Sequence, residues 1–289
     1  MKASLSPHVL AALRCPHCEA PLALQQESAA TYLCSQGHTF DQARQGYLTL
    51  LAPHATQNTA DTLDMVVRRE RFHRHDYYRP FAEEIVRLLT QHLNATLPHP
   101  LIADFGAGTG YYAQAITSAF ESSECIALDL SKRALQRAKA PRIAPIVADT
   151  WEPLPLKNAI LDGAINIFAP RNPSEFARVL KAGAPLIVST PTPNHLKEIR
   201  SAADLIKIGR QDHSKREDAR LKLAPYFDYE GTTITEFQLS LSSKDVEDLV
   251  MMGPNAYHTN LADLQQVLAN LGEPLLGTFS VETHLFFAR

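Results

Sequence analysis

After Pro98 the chain alternates short apolar runs with segments of helical periodicity. The apolar runs are predicted as strands, and helices are predicted to begin near Tyr111, Ser131 and Ser174. The predicted strands span residues 101–105, 125–128, 143–148, 161–167 and 185–189. Alternation of this kind is typical of a parallel sheet with helices on both faces, so the predicted fold class is α/β.

The segments that flank this pattern add further elements. Apolar positions recur at helical spacing from residue 63 to residue 93, and Pro80 is expected to begin a second helix there. The tail holds two more predicted strands, 233–239 and 278–287, around a helix near residues 260–271. The prediction is therefore a mostly parallel sheet of seven strands.

The first 55 residues follow neither pattern. They are rich in turns, with short predicted strands at 31–33 and 46–51, and polar residues 53–62 are predicted to form a linker. The chain is expected to consist of three parts. These are a small domain over residues 1–55, a linker and helical segment over 56–98, and an α/β domain over 99–289.

Composition is that of a globular protein, with 45% hydrophobic and 20% charged residues among 289. The sequence contains no run of 18 apolar residues, so no membrane span is predicted. No secretory cleavage site follows the apolar patch near the N-terminus, so no signal peptide is predicted. Three of the four cysteines lie before residue 35, which favours a local metal site in a reducing compartment over a disulfide scaffold. The expected location is the cytoplasm.

Charge is uneven along the chain. The net charge of −3 argues against a uniformly basic nucleic-acid binder, although a basic face can coexist with an acidic remainder. Five arginines lie between residues 68 and 79, and eight basic residues against five acidic ones lie between 197 and 222. Either stretch could be an RNA-binding face or a solvated helix face.

Two short motifs near the N-terminus have metal-ligand spacing. CPHC at residues 15–18 is a C-x2-C pair, and CSQGH at residues 34–38 is a C-x3-H pair. Three thiolates and one imidazole form the ligand set of a closed, structural zinc site. The predicted ligands are Cys15, Cys18, Cys34 and His38. His17 is a weaker candidate because it lies between two ligands, and the alternative is two unrelated thiols with an ordinary histidine.

A glycine-rich turn follows the first strand of the α/β region. In DFGAGTG at residues 104–110, three glycines at spacing two permit a sharp bend that brings backbone amides and a helix N-terminus against a ligand. Dinucleotide sites use G-x-G-x-x-G instead. Acid-x-G-x-G-x-G resembles the first motif of class I methyltransferases, where this loop wraps the amino acid end of S-adenosylmethionine.

Two carboxylates end the next predicted strands. Asp129 lies 19 residues after Gly110, which suits hydrogen bonds to both ribose hydroxyls, although it could instead offset a helix dipole. Asp149 lies where an adenine amino group is expected, with a plain loop carboxylate as the alternative. Their neighbours Leu130 and Thr150 are predicted to belong to the same cofactor site.

The loops after the fourth and fifth strands should border the reacting methyl group, because chemistry in open α/β sheets collects at the carboxyl ends of strands. Asn166 begins the first loop, NIFAPRNP, and a polar residue at the end of an apolar run needs a hydrogen-bond partner. The second loop, TPTPNH, ends at His195, and position alone does not separate a site residue from a surface histidine.

Taken together, these motifs resemble the 23S ribosomal RNA guanine-N1 methyltransferase family over essentially the whole chain. The resemblance rests on an ordered set of strings: CPHC, CSQGH, HTFDQARQGYLTLL, ADTLDM, DFGAGTGYY, LDLSK, NIFAPRNP, TPTPNHL and MMGPNAYH. NIFAPRNP and ADTWEPLPL are closer to the subgroup linked to tylosin-type macrolide resistance. The chain departs from the family in DFGA at residues 104–107, where Asp-Ile-Gly-Cys or Asp-Ile-Gly-Gly is commoner, a change that should preserve the turn.

The resemblance implies zinc at the four ligands named above and adds cofactor contacts at Tyr78, at the residues after the glycine turn, and at His195. Tyr77 leaves the register at Tyr78 slightly ambiguous. The full predicted cofactor set is Tyr78, Asp104, Gly106, Gly108, Gly110, Tyr111, Tyr112, Ala113, Asp129, Leu130, Asp149, Thr150, Asn166 and His195. The predicted catalytic residues are Asn166, Phe168 and Arg171.

The implied activity is transfer of a methyl group from S-adenosylmethionine to N1 of a guanine in a 23S RNA hairpin loop, with macrolide resistance as one consequence. The base must leave its stack to reach the pocket. The expected partner is 23S ribosomal RNA, with a homodimer as a further expectation and no membrane partner. The alternatives are a small-molecule methyltransferase and a zinc-ribbon RNA-binding protein with an inactive cofactor domain.

Overall fold

The structure is a computed structural model that describes residues 4–26, 30–53, 61–94, 96–202 and 214–289. Most of the predicted linker at 53–62 and the middle of the basic stretch at 197–222 lie outside the described residues. Among the described helices, none is both long and apolar enough to cross a membrane.

The described elements follow one another in an order that matches the predicted α/β alternation. The strands are β1 Leu22–Leu24, β2 Thr31–Cys34, β3 Thr39–Asp41, β4 Leu48–Thr49, β5 Leu101–Phe105, β6 Glu124–Asp129, β7 Ile143–Val147, β8 Gly163–Ile167, β9 Pro185–Pro191, β10 Phe227–Leu241 and β11 Leu275–Ala288. The helices are α1 Pro7–Ala12, α2 Leu63–Arg74, α3 Arg79–His92, α4 Tyr111–Ala119, α5 Lys132–Leu135, α6 Pro173–Val179, α7 Lys197–Ala202, α8 Ser214–Leu223, α9 Ser243–Met251 and α10 Leu261–Ala269.

The large sheet has the order β10-β11-β9-β8-β5-β6-β7-β4 in the described chain. Neighbouring strands from β9 through β4 are parallel, and β11 is antiparallel to both β9 and β10. The chain runs outward from β5 in one direction and then returns to β8 on its other side, so the strand order reverses between β5 and β8. Ligands of open α/β sheets bind at the carboxyl ends of the strands at such a reversal.

The predicted class is therefore confirmed, with one added strand. The sheet has eight described strands rather than seven, because Leu48 and Thr49 of the N-terminal region pair in parallel with Ile146 and Val147 of β7. The other N-terminal strands form a separate three-stranded antiparallel sheet, β1-β2-β3. The N-terminal region thus contributes one strand to the large sheet and docks the rest beside it.

Two apolar layers cover the two faces of the large sheet. Leu101, Ala103 and Phe105 of β5 pack into a layer that also contains Leu13 and Tyr32 of the N-terminal region. Ile102, between them, packs into the opposite layer with α3, α4, α9 and α10. Because both faces of the sheet are covered, β5 is fully buried, and its residues are apolar except for Asp104.

The predicted helical stretch 63–93 forms two helices, and the second begins at Arg79, within one residue of the predicted start at Pro80. Thr62 caps α2, its side chain accepting a hydrogen bond from Met65 N–H at 3.2 Å. The chain leaves α2 through Asp76, whose φ is +54°, and re-enters a helix at Arg79 with Pro80 in its first turn. The bend allows α2 to cross the carboxyl end of the sheet while α3 packs on its face.

Candidate functional site

The four predicted metal ligands come together in the N-terminal region. Their ligand atoms all lie within 4.8 Å of one another. Cys15 Sγ and Cys34 Sγ lie 3.5 and 3.4 Å from His38 Nδ1, and Cys18 Sγ lies 3.5 Å from Cys34 Sγ. The edges of a tetrahedron around zinc, with Zn–S near 2.3 Å and Zn–N near 2.0 Å, are about 3.5 to 3.8 Å. The donor set and spacing therefore fit zinc.

Tight turns bring each pair of ligands together. Glu19 N–H donates to Cys15 carbonyl at 2.9 Å, and the backbone at Glu19 has φ of +60°. In the second pair, Gly37 has φ of +82° and its N–H donates to Cys34 carbonyl at 3.0 Å. His17 is not among the clustered ligands, and its ring stacks on Phe40 with ring centres 5.6 Å apart, consistent with its weaker standing as a ligand candidate.

The metal-binding region docks directly onto the α/β domain. Leu13 forms a β-bridge with Leu156, and Arg14 N–H donates to Pro155 carbonyl at 3.0 Å. Arg14 Nε also donates to Leu154 carbonyl at 3.2 Å. This segment leads from β7 to β8, so the zinc-binding region is tied to the chain that follows Asp149.

The glycine bend at the end of β5 adopts the conformation that its sequence predicts. Gly106, Gly108 and Gly110 have φ values of +88°, +55° and +80°. A Cβ on Gly106 would lie 2.3 Å from Ala169 Cβ, and one on Gly110 would lie 2.7 Å from Ala138 Cβ. The bend therefore needs glycine for both its backbone conformation and its close contacts.

Asp129 lies beside this bend at the end of β6. Its Oδ2 accepts a hydrogen bond from Gly108 N–H at 2.7 Å, and its Oδ1 accepts one from Ser131 N–H at 2.7 Å. Each carboxylate oxygen keeps a lone pair that can accept a ribose hydroxyl. Ser131 caps α5, as predicted, and Leu130 lies between the two.

Asp104 is the buried acid that precedes the bend. It is 1% exposed, and burial together with the charge of Asp129 raises its pKa to about 8. Among the described residues, Asp104 Oδ2, Tyr112 OH and Asn166 Oδ1 are buried without a hydrogen-bond partner. Unpaired buried polar atoms are uncommon, and three around one bend fit a polar ligand such as the ammonium and carboxylate end of S-adenosylmethionine.

Asp149 and Thr150 follow β7, which lies two strands away from β5 and its glycine bend in the sheet. Ala148 N–H donates to Asp129 carbonyl at 3.1 Å, which holds the ends of β6 and β7 side by side. Asp149 Oδ1 accepts a hydrogen bond from Trp151 N–H at 2.9 Å. The two acids thus lie on adjacent strand ends, as a ribose and an adenine would require.

Asn166 anchors the loop after β8. It is fully buried, and its Nδ2 donates to Phe105 carbonyl and to Pro170 carbonyl, each at 2.9 Å. The expected partner for this polar residue therefore exists, and it ties the loop to the end of β5. Phe168 in this loop has φ of +53° and remains 42% exposed. A left-handed backbone at a bulky residue is rare and concentrates at functional sites.

Aromatic rings connect the remaining predicted residues. Tyr78 packs edge-on against Phe279 with ring centres 4.6 Å apart, and His195 does so at 5.1 Å. Phe168 lies 6.0 Å from both His195 and Phe81. Phe81 in turn lies 5.7 Å from the ring of Tyr112, next to buried Ala113, so these residues form one aromatic cluster.

His195 is a neutral group in this cluster. Ser280 N–H donates to its Nδ1 at 3.2 Å. Burial, together with the charge of Arg200, lowers its pKa to about 4. Because Nδ1 accepts a hydrogen bond, the proton of the neutral ring belongs on Nε2, which is then a donor.

Sequence reasoning missed two residues of α2 that overlie the cofactor bend. His73 Nδ1 lies 3.4 Å from Thr109 Oγ1, and its ring stacks on Tyr111 at 4.5 Å. Arg69, one helical turn earlier, lies 3.4 Å from the position of a Cβ on Gly108. Burial and the charge of Arg69 lower the pKa of His73 to about 3. Their i, i+4 spacing was a signal that one face of α2 carries both side chains.

Three arginines of α2 form ion pairs with carboxylates of the protein itself. Arg68 is 7% exposed and donates to Glu247 and Asp248 of α9 at 2.5 and 3.2 Å. Arg71 also pairs with Asp248, and Arg69 pairs with Asp61. Arg74, at the end of α2, and Arg79, at the start of α3, fit a solvated face, because their side chains are 71% and 69% exposed.

Comparisons with known proteins agree with this geometry. Residues 13–56 match the family model described as RlmA, N-terminal, and residues 103–188 match the model of a methyltransferase domain. The chain is 38% identical over 266 residues to the 23S rRNA (guanine(748)-N(1))-methyltransferase of Streptomyces fradiae, covering 91% of this chain and 92% of that one. It is 37% identical to the "Putative 23S rRNA (guanine-N(1)-)-methyltransferase" of Micromonospora griseorubida, with 96% and 97% covered.

The sheet, the glycine bend and the matched domain define a methyltransferase of class I that uses S-adenosylmethionine and carries a structural zinc region. With two relatives above 30% identity along nearly the full length, the chain belongs to the 23S rRNA (guanine-N1)-methyltransferase family.

Proposed function

We propose that this chain transfers the methyl group of S-adenosylmethionine to N1 of a guanine in a hairpin loop of 23S ribosomal RNA. The observation that carries the proposal is the union, in one chain, of a Cys3His cluster with the cofactor bend. The hydrogen bonds of Arg14 to Pro155 and Leu154 dock the metal-binding region beside the pocket. A small-molecule enzyme needs no such region.

The residues around the bend hold the donor, which supplies an electrophilic methyl group on a sulfonium ion. We expect the glycine bend at Gly106 to Gly110 and the carboxyl of Asp104 to border its amino acid end. Asp129 accepts the ribose hydroxyls, Asp149 accepts the adenine amino group, and the Tyr78 and Tyr112 rings line the apolar side. Orientation of donor and acceptor supplies most of the rate enhancement in such a transfer.

The guanine enters the pocket after it has left its stack in the RNA hairpin. Phe168, exposed on a left-handed backbone, offers a ring on which the base lies. Asn166 Nδ2 anchors the loop that carries Phe168 and Arg171 through its hydrogen bonds to the Phe105 and Pro170 carbonyls. The methyl group replaces the N1 proton, which leaves to solvent.

His195 acts in this scheme as a hydrogen-bond donor. Its Nδ1 already accepts from Ser280 N–H, and its depressed pKa of about 4 makes it a weak base at neutral pH. The Nε2–H can donate to an acceptor on the cofactor or on the guanine. His195→Ala should therefore lower activity without shifting the pH at which the rate is half-maximal.

The test is methylation of a defined transcript. The purified chain, S-adenosylmethionine and a 23S hairpin transcript are incubated, and the product is mapped by mass spectrometry and by primer extension, which stops at N1-methylguanine. One modified guanine is expected. Methylation of a metabolite but not of RNA would favour a small-molecule methyltransferase. RNA binding without calorimetric affinity for S-adenosylhomocysteine would favour an inactive cofactor domain.

Four further expectations belong to this proposal. The chain divides into a zinc domain at 1–55, a linker and helical segment at 56–98, and a methyltransferase domain at 99–289. It forms a homodimer, which light scattering would detect. It works in the cytoplasm, and methylation protects the ribosome from tylosin-type macrolides, which growth assays with and without the gene would measure.

A further inference from the structure

Two large aromatic side chains remain exposed at the carboxyl edge of the parallel strands. Trp151, which is the only tryptophan of the chain, is 65% exposed, and Phe168 is 42% exposed. Trp151 follows β7 and Phe168 follows β8. The proposed function gives Phe168 a partner, the flipped guanine, but it leaves the larger ring of Trp151 in solvent.

The backbone at Trp151 is fixed on both sides. Its N–H donates to Asp149 Oδ1 at 2.9 Å, and its carbonyl accepts from Asn172 Nδ2 at 3.2 Å. A short distance on, Leu154 N–H donates to Glu175 Oε2 at 2.6 Å. A ring presented by a rigid loop loses little conformational entropy when it binds, which favours its use as a contact surface.

Trp151 also lies between the two parts of the protein that the RNA must contact. Asn172 ends the loop of Asn166 and Phe168, and Leu154 carbonyl accepts from Arg14 next to the zinc ligand Cys15. An RNA hairpin that reaches both the pocket and the zinc-binding region therefore passes over this loop.

The carboxylates close to Trp151 in the sequence favour a base over a phosphate. Asp149 and Glu152 flank it in the sequence, and both are partly exposed carboxylates. Like charges repel a phosphate at this position, whereas the face of an unpaired base is neutral and stacks on aromatic rings. Resting on the proposed function, we propose that Trp151 stacks on an unpaired base of the RNA loop beside the methylated guanine.

The test separates RNA binding from chemistry and from cofactor binding. For Trp151→Ala, we expect KM for the hairpin transcript to rise about 5- to 100-fold, the range that base stacking supplies. The value of kcat and the dissociation constant of S-adenosylhomocysteine should stay within about threefold of wild type, and Trp151→Phe should restore most of the loss. In the wild type, binding of the RNA should quench the fluorescence of Trp151.

Tyr226→Ala is the matched control. Tyr226 is 41% exposed and precedes β10, whose first residue pairs with Ala288 near the amino end of β9, away from the site. Its KM should not change. An unchanged KM in Trp151→Ala would overturn the proposal, and so would weaker S-adenosylhomocysteine binding, which would assign the ring to adenine. Failure of the wild type to methylate the transcript would instead refute the proposed function.

Discussion

Asp104 is a carboxyl group in a position where its charge is disfavoured. Its pKa is raised by burial and by Asp129 from 3.8 to about 8. An acid whose pKa is higher in the folded than in the unfolded chain contributes stability below its unfolded value and loses it as pH rises through the folded value. Between pH 4 and 8, we expect this group to lower the free energy of unfolding by up to about 1.4 kcal/mol per pH unit.

Asp104→Asn should remove that dependence, and urea denaturation at several pH values would measure it. The variant should gain stability over the wild type as pH rises, while binding S-adenosylhomocysteine less tightly because the cofactor's ammonium group loses its counter-charge. Glu121→Gln, at an exposed turn, serves as control and should change neither quantity. Parallel pH profiles for Asp104→Asn and wild type would contradict the assignment.

Gly106 tests the close contact within the bend. Gly106→Ala places a Cβ 2.3 Å from Ala169 Cβ on a backbone with φ of +88°, so we expect a loss of about 2 to 5 kcal/mol in stability. Affinity for S-adenosylhomocysteine should fall more than tenfold, because the bend must move. Calorimetry and urea denaturation measure the two effects.

Gly183→Ala is the control for backbone conformation alone. Gly183 has φ of +76°, but nothing lies within 4 Å of a Cβ there. It should lose only about 1 to 2 kcal/mol and keep its cofactor affinity. Equal losses at the two positions would mean that the contact with Ala169 is unimportant.

At this scale, sequence spacing predicted the residues that act through local chemistry. The C-x2-C and C-x3-H pairs and the glycine turn are short-range patterns, and the structure brings their members together as expected. His73 and Arg69 were not predicted from the sequence, because their position at the cofactor bend depends on where α2 crosses the sheet. The burial of Arg68 likewise follows from carboxylates almost 180 residues away.

At the scale of elements, burial decides what the sequence could predict. The fully buried β5 was predicted with its observed bounds, and β8 and β9 were within two residues at each end. By contrast, β10 is eight residues longer than predicted, because most of it is exposed and it is an edge strand whose length follows its pairing with β11. Helix α9 went unpredicted, although Ser242 and Asp245 form a capping box at its start.

The ion pairs between α2 and α9 supply the prediction at this scale. Arg68 and Glu247 are 7% and 6% exposed, and the hydrogen bonds of Arg68 and Lys244 lower the pKa of Glu247 to about 2 despite its burial. Arg68→Ala should destabilise the chain by about 1.5 to 3 kcal/mol, because the buried carboxylates lose a charged hydrogen-bond partner while Glu247 keeps Lys244 and Asp248 keeps Arg71. It should also weaken S-adenosylhomocysteine binding, since α2 overlies the cofactor bend.

Arg74→Ala, on the same helix, is the matched control. Its side chain is 71% exposed and pairs with Glu70, so it should change stability by less than about 1 kcal/mol. The depressed pKa of Glu247 also makes the free energy of unfolding depend on pH. The stabilising contribution of Glu247 is present above pH 4.5 and is lost as pH falls towards 2. Equal melting temperatures for the two arginine variants would contradict the role of the ion pairs.

At the scale of the whole molecule, the metal-binding region and the methyltransferase fold share one apolar layer. Leu13, Tyr32 and Leu48 are fully buried, in the same layer as Leu101 and Phe105 of the central strand. β4 extends the large sheet, and the Leu13–Leu156 bridge joins the two regions a second time. Folding of one region should therefore be coupled to folding of the other, even though each matches its own family model.

Removal of zinc tests this coupling. Structural zinc contributes binding free energies on the order of 10 kcal/mol to small domains that cannot fold without it. We expect one zinc per purified chain, and chelation should lower the melting temperature of the whole protein by at least about 10 °C in a single calorimetric transition.

Cys18→Ser should lose zinc and behave like the chelated protein. Cys125→Ala should keep its zinc, because Cys125 is a free, buried cysteine of β6 outside the cluster. If a methyltransferase transition instead persisted at its original temperature after chelation, the shared apolar layer would not couple the two regions.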